Sequence, residues 1–464
     1  MGSLLIKNGR LVTVEQVQQK DLLVVGEKIK EIKDSFTAEE IPAGCTVIEA
    51  EGKYVFPGII DAHTHYFLQS RNSTTADDFY TGSVSAAFGG VTSFIDYAGQ
   101  FTGLTLAEAN QRRREQAEGE TVLDFSLHQC VYSLHPGIKD ELAELKQSSI
   151  NNLKIFTTYR KEGYMLAEES WEELFRLARE LKLLITVHAE DNQLIEEIWA
   201  GHQSRTEVPP HFHPILRPPQ TEYRAIIKLG RLAGQLKMPI YIVHLSSREG
   251  YQAVKEIRAS GGRLIVETVP HYLLLNKDLL QERQAQKYIM TPPLREEADR
   301  QALWQGLQEK GIDLIATDHC SFTVEQKLRS NHCREILPGI PGSETLLPLI
   351  FSKGVRAGYF DVRRMVDLLS TRPAKVFGLY PEKGSLQVGT DADLVVFDPK
   401  KEVRLADAQQ HSAAGYTPYT GIELQGYPLI TIVRGKVIIK DGNFYGKRGS
   451  GQFLPAQESS FDQG

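Results

Sequence analysis

Cysteine is scarce in this chain: Cys45, Cys130, Cys320 and Cys333 stand alone among 464 residues. Four scattered thiols exclude a disulfide-stapled scaffold and suit a reducing, cytoplasmic setting. Isolated cysteines of this kind are best read as small buried hydrophobes. No apolar run approaches the ~20 residues of a membrane-spanning helix. The first residues, Met1 to Lys7, lack the apolar stretch of a secretory signal. Excess charge of one sign is also missing. A formal net charge of −6, with no basic stripe, argues against a nucleic-acid or membrane partner. No fixed-period repeat points to a solenoid. What remains is an ordinary globular composition, 41% hydrophobic and 24% charged.

What is present is a series of apolar runs, each leading to a polar, chemically competent residue. Tyr54 to Ala62 leads into His63-Thr64-His65. Alternate residues of a strand share a face, so two histidines two apart make half of a divalent metal site. Later runs carry Lys154 within 152–156, His188 at the end of 184–188, and His244 at the end of 240–244. Glu267 closes 263–267 and Asp318 closes 313–318. The runs 92–96 and 125–128 bring the total to eight, with helix-like stretches such as 170–181 and 221–235 between them. Strands alternating with helices predict a parallel sheet, and eight units predict an α/β (β/α)8 TIM barrel. In such barrels the active site sits at the C-terminal strand ends.

The two ends of the chain read differently. Short β-like runs alternate with turns over 1–53 and again over 380–442, and Asn8-Gly9 and Asp441-Gly442 are hairpin-turn dipeptides. Neither end has enough strands for a stable sheet alone. Together they predict one small β-sandwich domain flanking a barrel over 54–379. The tail, 443–464, is expected to be disordered or laid on a neighbouring subunit.

Asp61-Ala62-His63-Thr64-His65, Lys154, His188-Ala189-Glu190, His244-Leu245-Ser246-Ser247, Thr291-Pro292-Pro293-Leu294-Arg295 and Thr317-Asp318-His319, taken together, resemble the cyclic amidohydrolases. That family includes hydantoinases, dihydropyrimidinases and allantoinases. Thr75 to Phe79 and Tyr416 to Gly421 look closest to the hydantoinase and dihydropyrimidinase branch. The resemblance implies two divalent metals, most simply zinc, on His63, His65, Lys154, His188, His244 and Asp318. A buried ammonium cannot ligate a cation; in this family carbon dioxide carboxylates the lysine, here Lys154, to a bridging carbamate. A hydroxide bridging the two metals would attack the ring amide. Asp318 would take its proton and pass it to the leaving nitrogen, while Tyr159 polarises the carbonyl. The product would be an N-carbamoyl amino acid, and the assembly a homotetramer or homodimer. His319 should face away as a structural group, Asp61 should support the ligands, and His128, His202, His211, His213 and His411 should have no metal role.

Substrate choice is open at this level. The substrate is expected to be a small cyclic ureide or imide. Phe67 stands where dihydroorotases carry a carboxylate-binding arginine. Pro338 stands where hydantoinases often have a ring-binding asparagine, leaving only a backbone contact. Thr291 replaces a usual serine whose contact uses the backbone. The segment after His65 is made polar by Ser70 and Arg71, and Arg71 is the candidate for choosing the ring substituent. Glu267 to Leu273 leans toward allantoinases and L-type hydantoinases. Allantoinase is therefore the alternative, followed by dihydroorotase and a non-catalytic scaffold.

Overall fold

The computed structural model describes residues 2–70 and 72–459. Eight parallel strands lie in consecutive order: Ile59–Asp61, Val91–Ala98, Asp124–Cys130, Asn152–Phe156, Leu184–His188, Ile240–Ile242, Leu264–Thr268 and Leu314–Ile315. They fall within or overlap the eight expected runs. The sheet closes where Thr64 and His319 form a parallel bridge and the His65 N–H donates to the His319 carbonyl at 2.8 Å. Asp61 completes the seam by accepting from the Thr317 N–H (3.0 Å) and hydroxyl (2.6 Å). It thus ties the barrel shut rather than supporting a ligand directly.

Strand alternation sorts the side chains into two cores. Ile60, Tyr241, Ile265 and Leu314 fill the barrel interior, sealed below by Ala374, Val376, Phe377 and Leu379. Ile240, Ile242, Leu264 and Val266 point outward, against helices such as Pro219–Gln235 and Arg248–Ala259. Proline at the first position of Pro219–Gln235 suits a helix start, because that N–H has no intrahelical acceptor.

The two ends of the chain form one nine-stranded, mostly antiparallel sheet. Ile6, Val24 and Ile48 from the N-terminal part share its core with Leu394, Val396 and Ile432 from the C-terminal part. Three local expectations need correction. Tyr54–Pro57 belongs to this sheet, paired with Ser3–Val12 and Leu394–Arg404, so the barrel begins only at Ile59. Gly58 is the crossing point, where any Cβ would sit 2.0 Å from Thr92 Oγ1. Asn8-Gly9 is a bulge inside Ser3–Val12 and not a hairpin turn. Asn8, at φ 58°, donates its N–H to Asp21, and a Cβ on Gly9 would meet Val55 at 2.6 Å. By contrast, Asp441-Gly442 does join the paired strands Lys436–Lys440 and Asn443–Phe444.

The third correction concerns the tail. Up to residue 459 it lies on this chain's own barrel. Phe453 bridges to Phe125, Ala456 donates to the Ser149 carbonyl, and Gln457 donates to that of Gly378. Its polar composition concealed these backbone hydrogen bonds, which any residue type can make. No described helix is long and apolar enough to cross a membrane.

Candidate metal centre

Lys154 is the least ordinary residue of the barrel. The strand Asn152–Phe156 turns Leu153 and Ile155 outward into the helix layer, so Asn152, Lys154 and Phe156 face inward. The Lys154 ammonium is buried and has no hydrogen-bond partner among the described residues. The faces of Tyr97 and Phe156 lie 5.2 and 5.1 Å from it. Burial drives its pKa down to about 8, against a smaller opposing pull from Glu267 and Asp318. A lone buried ammonium is costly, which favours the neutral amine.

The expected ligands gather at the same end of the barrel. His63 Nε2 and His65 Nε2 lie 3.2 and 3.1 Å from the same Asp318 oxygen, Oδ1. These three residues form one compact donor cluster. The His188 and His244 rings lie 4.6 Å apart, and His244 stacks 5.5 Å from His63. His244 Nδ1 is buried and, like Lys154 Nζ, unpartnered. Burial also raises the Asp318 carboxyl, but the nearby His63 and His65 outweigh it and hold Asp318 well below the usual carboxylate range. Convergent imidazoles, an ionised carboxylate and unpaired buried nitrogens are the donor set a pair of divalent cations requires.

Two glutamates set the histidines. Glu267 shares the inward face of its strand with Ile265. It accepts from His63 Nδ1 (2.8 Å), the His244 backbone N–H (2.9 Å) and the Tyr241 hydroxyl (2.6 Å). With Nδ1 donating, His63 keeps its Nε2 lone pair toward the cluster. Glu190 accepts from His188 Nε2 and Arg217 Nη1 at 2.8 and 2.6 Å. Burial pushes Glu190 up, but Arg217 and His188 bring it down to about 2. Neither glutamate was assigned a role from sequence. The available signals were strand parity with Ile265 for Glu267 and a two-residue offset from His188 for Glu190. Tyr97 was missed as well; its ring stacks on His65 at 4.8 Å.

The backbone is strained here. Tyr159, His244 and Asp318 have φ of 68°, 38° and 49°, a left-handed conformation that costs a non-glycine residue about 1–3 kcal/mol. His319 faces away, donating to Asp77 at 3.0 Å and accepting from the Gly342 and Ser343 N–H groups. His128 is held by the Ala62 carbonyl and Asn152.

One cavity of about 610 Å³ is lined by His63, His65, Lys154, Tyr159, His188, His244, Thr291, Asp318 and Pro338. Every expected site residue is thus brought together except Arg71, which lies outside the described residues. Tyr159 sits 5.2 Å from the His188 ring, with the Arg217 guanidinium over its face. Phe67 and Phe156 form part of the apolar wall. Of the segment Glu267 to Leu273, no residue lines this cavity. Glu267 orients ligands, His271 meets Tyr419, and the Tyr272 hydroxyl donates to the Pro292 carbonyl. Its lean toward allantoinases therefore has no seat beside the substrate space.

Comparison with known proteins agrees. The model of the amidohydrolase family matches residues 54–438. A D-hydantoinase of Rhizobium radiobacter is 36% identical over 454 residues, covering 97% of this chain and 98% of that protein. The crystal structure of dihydropyrimidinase from Brevibacillus agri NCHU1002 superposes with a TM-score of 0.95 at 31% identity, covering both chains completely. A D-hydantoinase (dihydropyrimidinase) from Thermus sp. gives 0.94 at 34% identity, over 99% of this chain and 100% of that one.

Proposed function

The chain belongs to the amidohydrolase family, and on that premise we propose that it is a metal-dependent hydrolase opening the cyclic amide bond of a hydantoin or dihydropyrimidine ring to an N-carbamoyl amino acid. The observation that carries this reading is Lys154: a buried, unpartnered ammonium among four histidines and an aspartate. As a free lysine it would be a liability. As a carbamate, formed when its neutral amine adds to carbon dioxide and releases a proton, it would be an anionic ligand for divalent ions. His63, His65 and Asp318 would hold one ion, and His188 and His244 the other. Two divalent ions, zinc in this reading, supply Lewis acidity toward both water and the amide carbonyl.

The chain's own groups do the rest. Glu267 and Glu190 keep His63 and His188 in one tautomer and orientation. Asp318, held ionised, takes the proton of the attacking water and delivers it to the leaving ring nitrogen. The Tyr159 hydroxyl donates to the carbonyl oxygen as charge develops there. Thr291 and Pro338 line the cavity where backbone groups can grip the ring. The same reading includes a homotetramer or homodimer of closed symmetry. Four free cysteines accord with a cytoplasmic setting.

The test is Lys154→Ala, assayed for metal content and for turnover of hydantoin, dihydrouracil, allantoin and dihydroorotate. The folded variant should hold little metal and open no ring, with partial recovery in a high concentration of a short carboxylic acid. Full activity without added acid would overturn the bridging role. A wild-type protein that opens none of the four rings would overturn the hydrolase reading.

A further inference from the structure

A single five- or six-membered ring leaves most of a 610 Å³ cavity empty, since pockets of roughly 300–1,000 Å³ accommodate far larger ligands. The remaining space has a defined character. Phe156 lies 5.9 Å from Tyr159 and 5.8 Å from His188, and continues outward to Tyr132 and Tyr164 at 6.1 and 6.2 Å. This aromatic wall starts at the candidate ligands and runs to the half-buried Tyr132 and Tyr164. The helix Leu106–Ala117 forms another wall. It presents Ala109, Arg112, Arg113 and Gln116 to the cavity, the spacing of one helical face.

The two arginines of that face differ. Arg113 is buried and fully engaged: it pairs with Asp96 at 2.6 Å and donates to the carbonyls of Tyr66 and Phe67 and to Gln116. It braces the segment that follows His65. Arg112 is exposed at the rim and makes no hydrogen bond or ion pair with any described residue. The acidic residues at helical spacing, Glu108 and Glu115, hydrogen-bond instead to the Thr105 N–H and to Gln111. A guanidinium left unpaired beside a cavity is a receptor for a planar anion, which it can bind through two parallel hydrogen bonds.

We propose that Arg112 is a specificity-determining residue that receives a carboxylate at the end of the ring substituent, with the substituent's apolar stem lying along Phe156 and Tyr132. The proposal rests on the cyclic-amide reading and deepens it by naming the substrate class: rings carrying an acidic side chain.

The experiment compares 5-(2-carboxyethyl)hydantoin with its neutral carboxamide, on the wild type, Arg112→Gln and Arg112→Lys. The wild type should favour the acid in kcat/KM. Arg112→Gln should lower the acid-to-amide ratio by about tenfold, mainly through KM, while Arg112→Lys retains part of it. An unchanged ratio in Arg112→Gln, or a wild-type preference for the amide, overturns the proposal. Titration calorimetry with the same two probes separates the two readings. If no ring is opened but the acid binds more tightly than the amide in an Arg112-dependent way, the hydrolase reading fails and the subsite stands. If ring opening proceeds but wild type and Arg112→Gln bind both probes alike, the subsite fails and the hydrolase stands.

Discussion

The two ends of the barrel treat buried charge in opposite ways. At the base, where the terminal sheet meets the barrel, Lys383 is buried and meets Asp124 and Asp393 at 2.6 Å each and Asp391 at 2.9 Å. Arg434 pairs with Asp124 as well and donates to the Ser450 carbonyl of the tail. Burial lowers the Lys383 ammonium, but Asp393 and Asp391 outweigh that and raise it. At the open end Lys154 is equally buried and has no hydrogen-bond partner among the described residues. The base thus has charges chosen for one another, which lock sheet, barrel and tail in one register. His244 Nδ1, at the open end, is unpartnered as well among the described residues. Left-handed backbone occurs at both ends, at Tyr159, His244 and Asp318 around the open end and at Arg434 in the base cluster. A buried group without a partner is costly, so it persists where a ligand completes it.

The sharpest way to break the comparison is to exchange one group at each end. Asp318→Ala should lower kcat/KM by about 10²–10⁴-fold, the range for a lost general acid–base. Its melting temperature in the absence of metal should stay within a few degrees, because losing the contacts to His63 and His65 is offset by no longer burying a carboxylate. Lys383→Met should do the reverse. Leaving three carboxylates facing each other in the interior should cost about 3–5 kcal/mol in a urea titration, with activity per folded molecule retained. If Lys383→Met abolished activity without loss of stability, the division between the two ends would be wrong.

Tyr159→Phe sharpens the open end. Loss of one donor to a developing oxyanion should reduce kcat by about 10²-fold or more with little change in stability. Chelation should sharpen it further. Stripping metal should abolish turnover, restored by zinc, and bound metal should raise stability by about 2.7 kcal/mol at a hundred times its dissociation constant.

The smallest effect concerns a paired carboxylate just beneath the ligands. Asp77 is buried, which raises its pKa, but His319, the Ser412 hydroxyl and the Ala413 N–H together bring it down to about 2. A carboxyl lowered on folding stabilises the protein above its unfolded value near 4, and the contribution fades as pH falls through 2. Asp77→Asn should therefore cost roughly 2 kcal/mol at pH 7 and less at pH 3, measured by urea unfolding at each pH. An equal loss at both values would mean that Asp77 acts through packing alone.

Much of this was legible in the residues. The eight β runs declared the barrel because β-rich apolar segments alternating with amphipathic ones have few other ways to bury their faces. The six candidate metal residues were legible because each stands at or near a strand end, and such ends converge in this fold. Other features were hidden. The split at Gly58 depends on Thr92 lying 2.0 Å from where a Cβ would be, a contact between residues far apart in sequence. The bulge at Asn8-Gly9 depends on Asp21 and Val55 in the same way. The tail reads as linker, yet its backbone groups bond to the barrel.

By itself the sequence determined the strand order, the barrel class and the identity of the residues at the strand ends, because periodicity and residue chemistry are local properties of a chain. Only the tertiary structure decided which of those residues have partners. It gave Glu267 to His63 and Glu190 to His188, Asp96 to Arg113 and three carboxylates to Lys383, and among the described residues it left Lys154 and Arg112 without a hydrogen-bond partner. The physical reason is that pairing depends on through-space distance, which sequence separation does not report: His63 and Glu267, 204 residues apart, meet at 2.8 Å.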